Sequence, residues 1–244
     1  MKAAKSTPES GPLQFVHAVE AALAPLVDPT RAVAMKAYMR NRFEYLGIGT
    51  PDRRAALKPL HAHFKPASVA EVRLIAETLW VRREREYQYA AIGLLDRQGK
   101  QFSLADVEWL LDLVQQKSWW DTVDALVKVV GSVVRRSGED GHQRMDQALE
   151  ATDFWVRRIA LLHQLGWREA TDTKRLFRYA LTLADEKEFF IRKAIGWSLR
   201  DYAWHDAEAV AHFLAAHGKQ LSPLSQREAA KNLAKLQQAS ASKR

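Results

Sequence analysis

The segment Trp120-Asp-Thr-Val-Asp-Ala125 decides the fold once it is set beside its copies. Tyr87-Gln-Tyr-Ala-Ala-Ile, Trp155-Val-Arg-Arg-Ile-Ala and Phe190-Ile-Arg-Lys-Ala-Ile align with it, and Ser225-Gln-Arg-Glu-Ala-Ala continues the series. Successive copies start 33, 35, 35 and 35 residues apart, and Pro51-Asp-Arg-Arg-Ala-Ala fits as a weaker copy 36 residues before Tyr87. Repeats of this length are helical pairs that cannot bury their apolar faces alone and therefore stack. Ankyrin and tetratricopeptide consensus patterns are absent, so a short HEAT-like unit describes them best. The expected class is all-α, an α-solenoid of about six such repeats with an extended concave face suited to a long ligand.

The flanking sequence agrees. Leu13, Val16, Val19, Leu23 and Leu26 recur at helical spacing until Pro25 and Asp28-Pro29 end the run. Thr30 to Phe43 reads as a second helix, and Gly47-Ile-Gly49 breaks it. Thr50 followed by Pro51 reads as an N-cap with proline at N1, and Ser68 to Trp80 as a further helix. No stretch alternates apolar and polar residues as a half-buried strand would. Residues 1–12 are expected to be a disordered tail, 13–238 a single repeat domain and 239–244 a polar C-terminal tail.

Composition narrows the function. The chain has 244 residues and no cysteine, which excludes disulfides, thiol catalysis and Cys-based zinc sites. There is no run of about 18 apolar residues and no secretory h-region, so no membrane association and a cytoplasmic location are expected. The net charge of +8 favours a polyanion, nucleic acid first. The eight tryptophans exceed ordinary usage, and in a basic protein they suit stacking or cation–π contacts. HExxH, P-loop, Rossmann and GxSxG patterns are missing, so neither a metal nor another cofactor is expected. The mixed-sign run Arg82-Arg-Glu-Arg85 reads as a solvated face.

The repeat register singles out candidate residues. With the aromatic residue at 87, 120, 155 and 190 as position zero, position four reads Ala91, Asp124, Ile159, Ala194 and Ala229. Four copies use it for packing and one carries a carboxylate, which needs a local reason. Position three brings Arg158 and Lys193, and position seven Trp197. Positions zero, three, four and seven share a helical face. Trp120, Asp124, Arg158 and Trp197 therefore fall on equivalent faces of neighbouring repeats. Arg158 either pairs with Asp124 or holds a phosphate. Trp119 reads as core, Ser118 with Asp121 as a capping pair, and Gly196 as a point of close approach.

The motifs Ser118-Trp-Trp-Asp-Thr-Val-Asp124, Trp155-Val-Arg-Arg158 and Glu188-Phe-Phe-Ile-Arg-Lys-Ala-Ile-Gly-Trp-Ser-Leu-Arg-Asp-Tyr202 resemble the AlkD-type family, the HEAT-like-repeat alkylpurine DNA glycosylases. Tyr38-Met-Arg-Asn-Arg-Phe43, Leu46 to Arg54 and Leu221 to Ala230 extend the resemblance over roughly residues 13–236. The resemblance implies metal-free hydrolysis of the N-glycosidic bond of N3- or N7-alkylated purines in duplex DNA by a monomer, without drawing the lesion into a base pocket. It implies that Asp124 is the catalytic aspartate, Trp120 and Trp197 the active-site tryptophans and Arg158 the active-site arginine. Tyr38, Lys193 and Arg200 are expected to contact DNA or substrate. Gly166 stands where the family pattern leads one to expect a lysine. A non-catalytic relative that binds damaged or branched DNA and a HEAT-like protein scaffold are the rival readings.

Overall fold

Turn chemistry and burial set where each helix begins and ends. The computed structural model describes residues 11–66, 68–231 and 233–236. Of the expected tails, residues 1–10 and 239–244 lie outside the described residues, while Pro12 already opens the first helix. Among the described residues every regular element is helical, apart from one isolated bridge between Glu44 and Glu84. The chain divides into two compact units, Met1–Gln101 and Phe102–Arg244.

The first unit contains α1 (Pro12–Leu23), α2 (Pro29–Tyr38), α3 (Thr50–His63), α4 (Val69–Trp80) and α5 (Arg85–Gln98). Helix α1 buries Phe15, Val16, Val19 and Leu23 against α3 and α4, and α4 packs on α5. Helix α2 ends at Tyr38, five residues before the expected Phe43. Arg40 and Asn41 turn left-handed (φ 55° and 58°), and the Asn41 N–H reaches back to the Lys36 carbonyl at 2.9 Å. That six-residue closure is the Schellman way of satisfying terminal carbonyls, and asparagine tolerates its geometry.

The loop that follows is held by a buried acid. Glu86 accepts the N–H groups of Leu46, Gly47 and Ile48 at 2.9–3.0 Å. Gly47 has φ +86°, and a Cβ there would lie 2.0 Å from the Asp28 carbonyl oxygen, so no other residue fits. Gly49, rather than Thr50, is the residue preceding α3, one position earlier than the spacing suggested. Arg85 also departs from expectation. It is fully buried, with its guanidinium 3.7 Å from the Phe43 ring centroid. Its N–H donates to the Glu44 carbonyl at 2.8 Å, which draws the start of α5 inward and away from solvent.

The second unit contains α6 (Val107–Val114), α7 (Trp120–Arg136), α8 (Gly138–Leu149), α9 (Phe154–Leu162), α10 (Thr173–Thr182), α11 (Phe189–Ala203), α12 (Ala207–His217) and α13 (Pro223–Ala230). Alternate helices from α3 onward begin at 50, 85, 120, 154, 189 and 223, steps of 34 or 35 residues. Within this unit α7, α9, α11 and α13 contact one another in succession, and each also packs on the helix before it in the chain. Two glycines allow the close spacing. A Cβ on Gly131 would lie 2.2 Å from the His163 carbonyl oxygen, and one on Gly196 would lie 2.4 Å from the Glu228 Cβ. On the other side, Asp146 of α8 ties down α10 by accepting from Arg175, Arg178 and Tyr179.

Candidate active site

The start of α7 separates two adjacent indoles. Lys117 has φ 50°, and Trp119 precedes the helix in extended conformation (φ −160°, ψ 161°). The change from extended to helical backbone sends neighbouring side chains in different directions. Trp119 is buried, edge-on to Trp155 (5.9 Å) and Phe190 (5.1 Å), an arrangement in which ring edges meet ring faces. Trp120 is only half-buried. The core reading of Trp119 holds. The capping pair does not form: no side chain caps α7, and the Ser118 hydroxyl donates instead to the Val114 carbonyl at 2.8 Å. Asp121 nonetheless sits in the first turn, where a carboxylate favours the helix dipole.

One turn beyond Trp120, Asp124 meets Arg158 of α9 in a two-pronged ion pair. Arg158 Nε donates to Oδ1 at 2.7 Å and Nη2 to Oδ2 at 2.9 Å. Nη1 donates to the Phe190 carbonyl, and the guanidinium lies 5.9 Å from the ring centroids of both Phe190 and Trp197. The Arg158 side chain is 3% exposed and that of Asp124 19%. Arg158 is therefore paired with Asp124 and does not present an open phosphate-binding geometry. Burial pushes the Asp124 carboxyl above its ordinary value of 3.8; the Arg158 fork opposes that shift and the nearby Asp121 adds to it. Each Asp124 oxygen receives one bond from Arg158, which leaves acceptor capacity on both for a further group.

Trp197 of α11 completes the aromatic surroundings and is half-buried. Gly196 beside it faces α13, so the close approach it permits is helix against helix. Lys193 and Arg200, one turn to either side, converge with Lys231 on Glu228 of α13. Burial raises the Glu228 acid, but the hydrogen bonds from Lys231, Lys193 and Arg200 outweigh it and hold the group at about 2. Three cations around one carboxylate leave surplus positive charge beside Trp197. Tyr38 lies at the end of α2 in the first unit and is 72% exposed.

Sequence reasoning missed Phe190 and Glu228 as parts of this arrangement. Phe190 acts through its carbonyl, which no side-chain pattern reveals. Glu228 was visible: it stands 35 residues after Lys193 with opposite charge, one repeat away in the same register position. Among the described residues no cluster of three or more His, Asp or Glu side chains could hold a metal ion. Nor is any described helix long and apolar enough to cross a membrane.

What this arrangement can do follows from its parts. It is a largely buried carboxylate held on both oxygens by a buried arginine, with half-buried tryptophans on its own helix and on α11 and a cluster of cations beside Trp197. Carboxylate and π surfaces both attract positive charge. Comparison with known proteins points the same way. The family model for DNA alkylation repair enzymes matches residues 19–233. A solved structure described as a predicted DNA alkylation repair enzyme from Enterococcus faecalis is 37% identical, with a TM-score of 0.75, covering 85% of this chain and 97% of that one. A comparison with curated proteins returns no match.

Proposed function

We propose that this chain, which belongs to the DNA alkylation repair enzyme family, is an N-glycosylase acting on cationic N3- and N7-alkylated purines in duplex DNA. The observation that carries the proposal is the Asp124 carboxylate, held by Arg158 on both oxygens, with that guanidinium 5.9 Å from the Trp197 ring centroid and Trp120 one turn earlier on the same helix.

The chemistry suits those residues. An alkylated N3 or N7 leaves the purine positively charged, so it departs without a general acid. As the bond breaks, its electron pair passes to the purine, which becomes neutral, and positive charge develops on the sugar as an oxocarbenium ion. Asp124 stabilises that charge electrostatically and orients the attacking water. The indole faces of Trp120 and Trp197 attract the same cation. Water adds to the anomeric carbon, its proton passes to solvent, and the products are an abasic site and a free purine. In this reading the protein acts as a monomer and leaves the base outside any specificity pocket, relying on charge for selection. Neutral lesions such as uracil are then poor substrates.

The test is to incubate methylated duplex DNA with the purified protein and identify the released base by chromatography. Release of 7-methylguanine or 3-methyladenine, slowed in Asp124→Asn, is the expected result. Tight, salt-dependent DNA binding with no released base would overturn the catalytic reading in favour of a binding protein.

A further inference from the structure

Helix α11 is apolar on one side and carries an ordered row of rings and cations on the other. Ile191, Ala194, Ile195, Ser198, Leu199 and Tyr202 are buried. Phe189, Lys193, Trp197, Arg200 and Trp204 follow at i, i+4, i+8, i+11 and i+15. At 3.6 residues per turn these positions stay within an arc of about 80° over about 22 Å. None of the five is buried, and the two ends are the most open, Phe189 at 53% and Trp204 at 66% exposure. Trp204 follows the last residue of the helix but keeps helical dihedrals (φ −67°, ψ −21°), so its side chain continues the row.

A single exposed aromatic needs no explanation, since much of any protein surface is apolar. A large indole in register with Trp197 is a different matter. The outer face of an amphipathic helix is ordinarily polar throughout. Here the order is aromatic, cation, aromatic, cation, aromatic, and the central member lies against the Arg158–Asp124 fork. Lys193 and Arg200 share one carboxylate with Lys231, so the row carries net positive charge. An apolar protein partner would have to strip water from those cations. A duplex would not: its phosphates match the cations, and its sugars and base edges match the rings.

We infer that Trp204 is a second aromatic contact to duplex DNA, outside the reacting centre. It packs on the sugar and base edges that flank the lesion, about 10 Å from Trp197, a distance of roughly three base-pair steps. Its role is to hold the duplex on α11. The inference rests on the proposal that the duplex occupies the Trp197 face.

The experiment measures duplex affinity for Trp204→Ala and Trp204→Phe over a range of salt, with base release by the wild-type protein followed separately. Thermal melting serves as the control that both variants fold. Full stacking of a base on an aromatic ring is worth about fivefold to a hundredfold in binding, and a contact to sugars and base edges falls at the lower end, about fivefold. Trp204→Ala is expected to show such a loss and Trp204→Phe to recover most of it. The slope of log affinity against log salt is expected to stay at the wild-type value, because no phosphate partner is removed. Wild-type affinity in Trp204→Ala overturns the inference. So does a change in oligomeric state, by light scattering, that assigns the ring to a second copy of the chain. Wild-type protein that binds DNA through Trp204 but releases no base overturns the glycosylase proposal alone. Wild-type protein that does not bind duplex DNA at low salt overturns both.

Discussion

Removing Arg158 along with Asp124 should harm the reaction less than removing the Asp124 charge alone. The fork explains why. Take the developing sugar cation about 4 Å from the carboxylate, at an effective dielectric of about 20: the attraction is about 4 kcal/mol. The Arg158 charge lies beyond the carboxylate, about 8 Å from that cation, and repels it by about 2 kcal/mol. The pair together therefore stabilises the transition state by about 2 kcal/mol. In Asp124→Asn the attraction is lost and the repulsion remains, so base release falls by about 4 kcal/mol, close to a thousandfold. In Asp124→Asn with Arg158→Met both terms vanish, and the loss is about 2 kcal/mol, near thirtyfold. Stability should follow the same order. Arg158 is 3% exposed, and leaving a buried charge without its partner costs about 3 kcal/mol or more, a cost that Arg158→Met removes. The assay is release of 7-methylguanine under single-turnover, saturating conditions, with urea midpoints measured in parallel. A double variant as slow as Asp124→Asn would refute the reasoning, since Arg158 would then contribute something other than its counter-charge.

Because burial raises the Asp124 acid above 3.8 and the reaction needs the carboxylate ionised, base release should fall on the acid side through a pKa above 3.8. Arg158→Met, which removes the opposing fork, should move that limb to higher pH; a limb that stays in place would separate the two residues. Acid should also weaken the fold in two windows. Burial lowers His163 to about 4 from 6.5, so the unfolded chain takes up its proton first, and the stability from keeping it neutral, full above 6.5, is lost as pH falls toward 4. Glu228, depressed to about 2 from 4.5, contributes stability that is full above 4.5 and lost below it. Urea midpoints of His163→Gln should therefore vary less with pH between 6.5 and 4 than those of the wild type. Finally, Gly196→Ala sets a Cβ 2.4 Å from the Glu228 Cβ and 2.7 Å from the Ser225 carbonyl oxygen; overpacking of that kind costs about 1–3 kcal/mol. Melting should drop by several degrees, and an unchanged melting temperature would mean that α13 shifts freely on α11.

The helical class and the starts of the repeated helices were legible because apolar periodicity, prolines and short breaks recur together. What was misread has local physical causes. The end of α2 depends on left-handed residues at Arg40 and Asn41, which side-chain periodicity does not encode. Arg85 looked like surface because its neighbours are charged, yet an aromatic ring and a backbone bond draw it inside. Ser118 had the composition of a cap but sits where its hydroxyl meets the carbonyl of the preceding helix. At the candidate site, the repeat comparison put Asp124, Arg158 and Trp197 on equivalent faces. It could not choose between ion pairing and phosphate binding for Arg158, since both use the same guanidinium. In the structure Arg158 is buried and paired with Asp124, and burial is a property of packing.

The spacing of the ion pairs explains how such a site arises in a repeated fold. Asp124 and Arg158 are 34 residues apart, Lys193 and Glu228 35, and both Glu108–Arg144 and Glu139–Arg175 36. These separations equal the steps of 34 or 35 between alternate helix starts or exceed them by one residue. An acid in one copy facing a base in the next is thus a recurring way of joining successive helices. Most such pairs are solvated on at least one side: Glu108 and Glu139 are exposed, and pairs of that kind contribute little. Asp124–Arg158 differs because its arginine lies beneath the surface, 5.9 Å from the Trp197 ring centroid, while its acid keeps 19% of its side chain exposed. A carboxylate so placed is rigid and poorly hydrated, yet still reachable. Those are the conditions under which a fixed charge acts most strongly on a developing cation, because little solvent must reorganise when the charge appears. Local packing thus converts a helix-joining pair into a candidate reaction centre. The same argument implies that Glu108→Asp, which sets an Asp–Arg pair with Arg144 at a solvated position between α6 and α8, would join helices without creating activity.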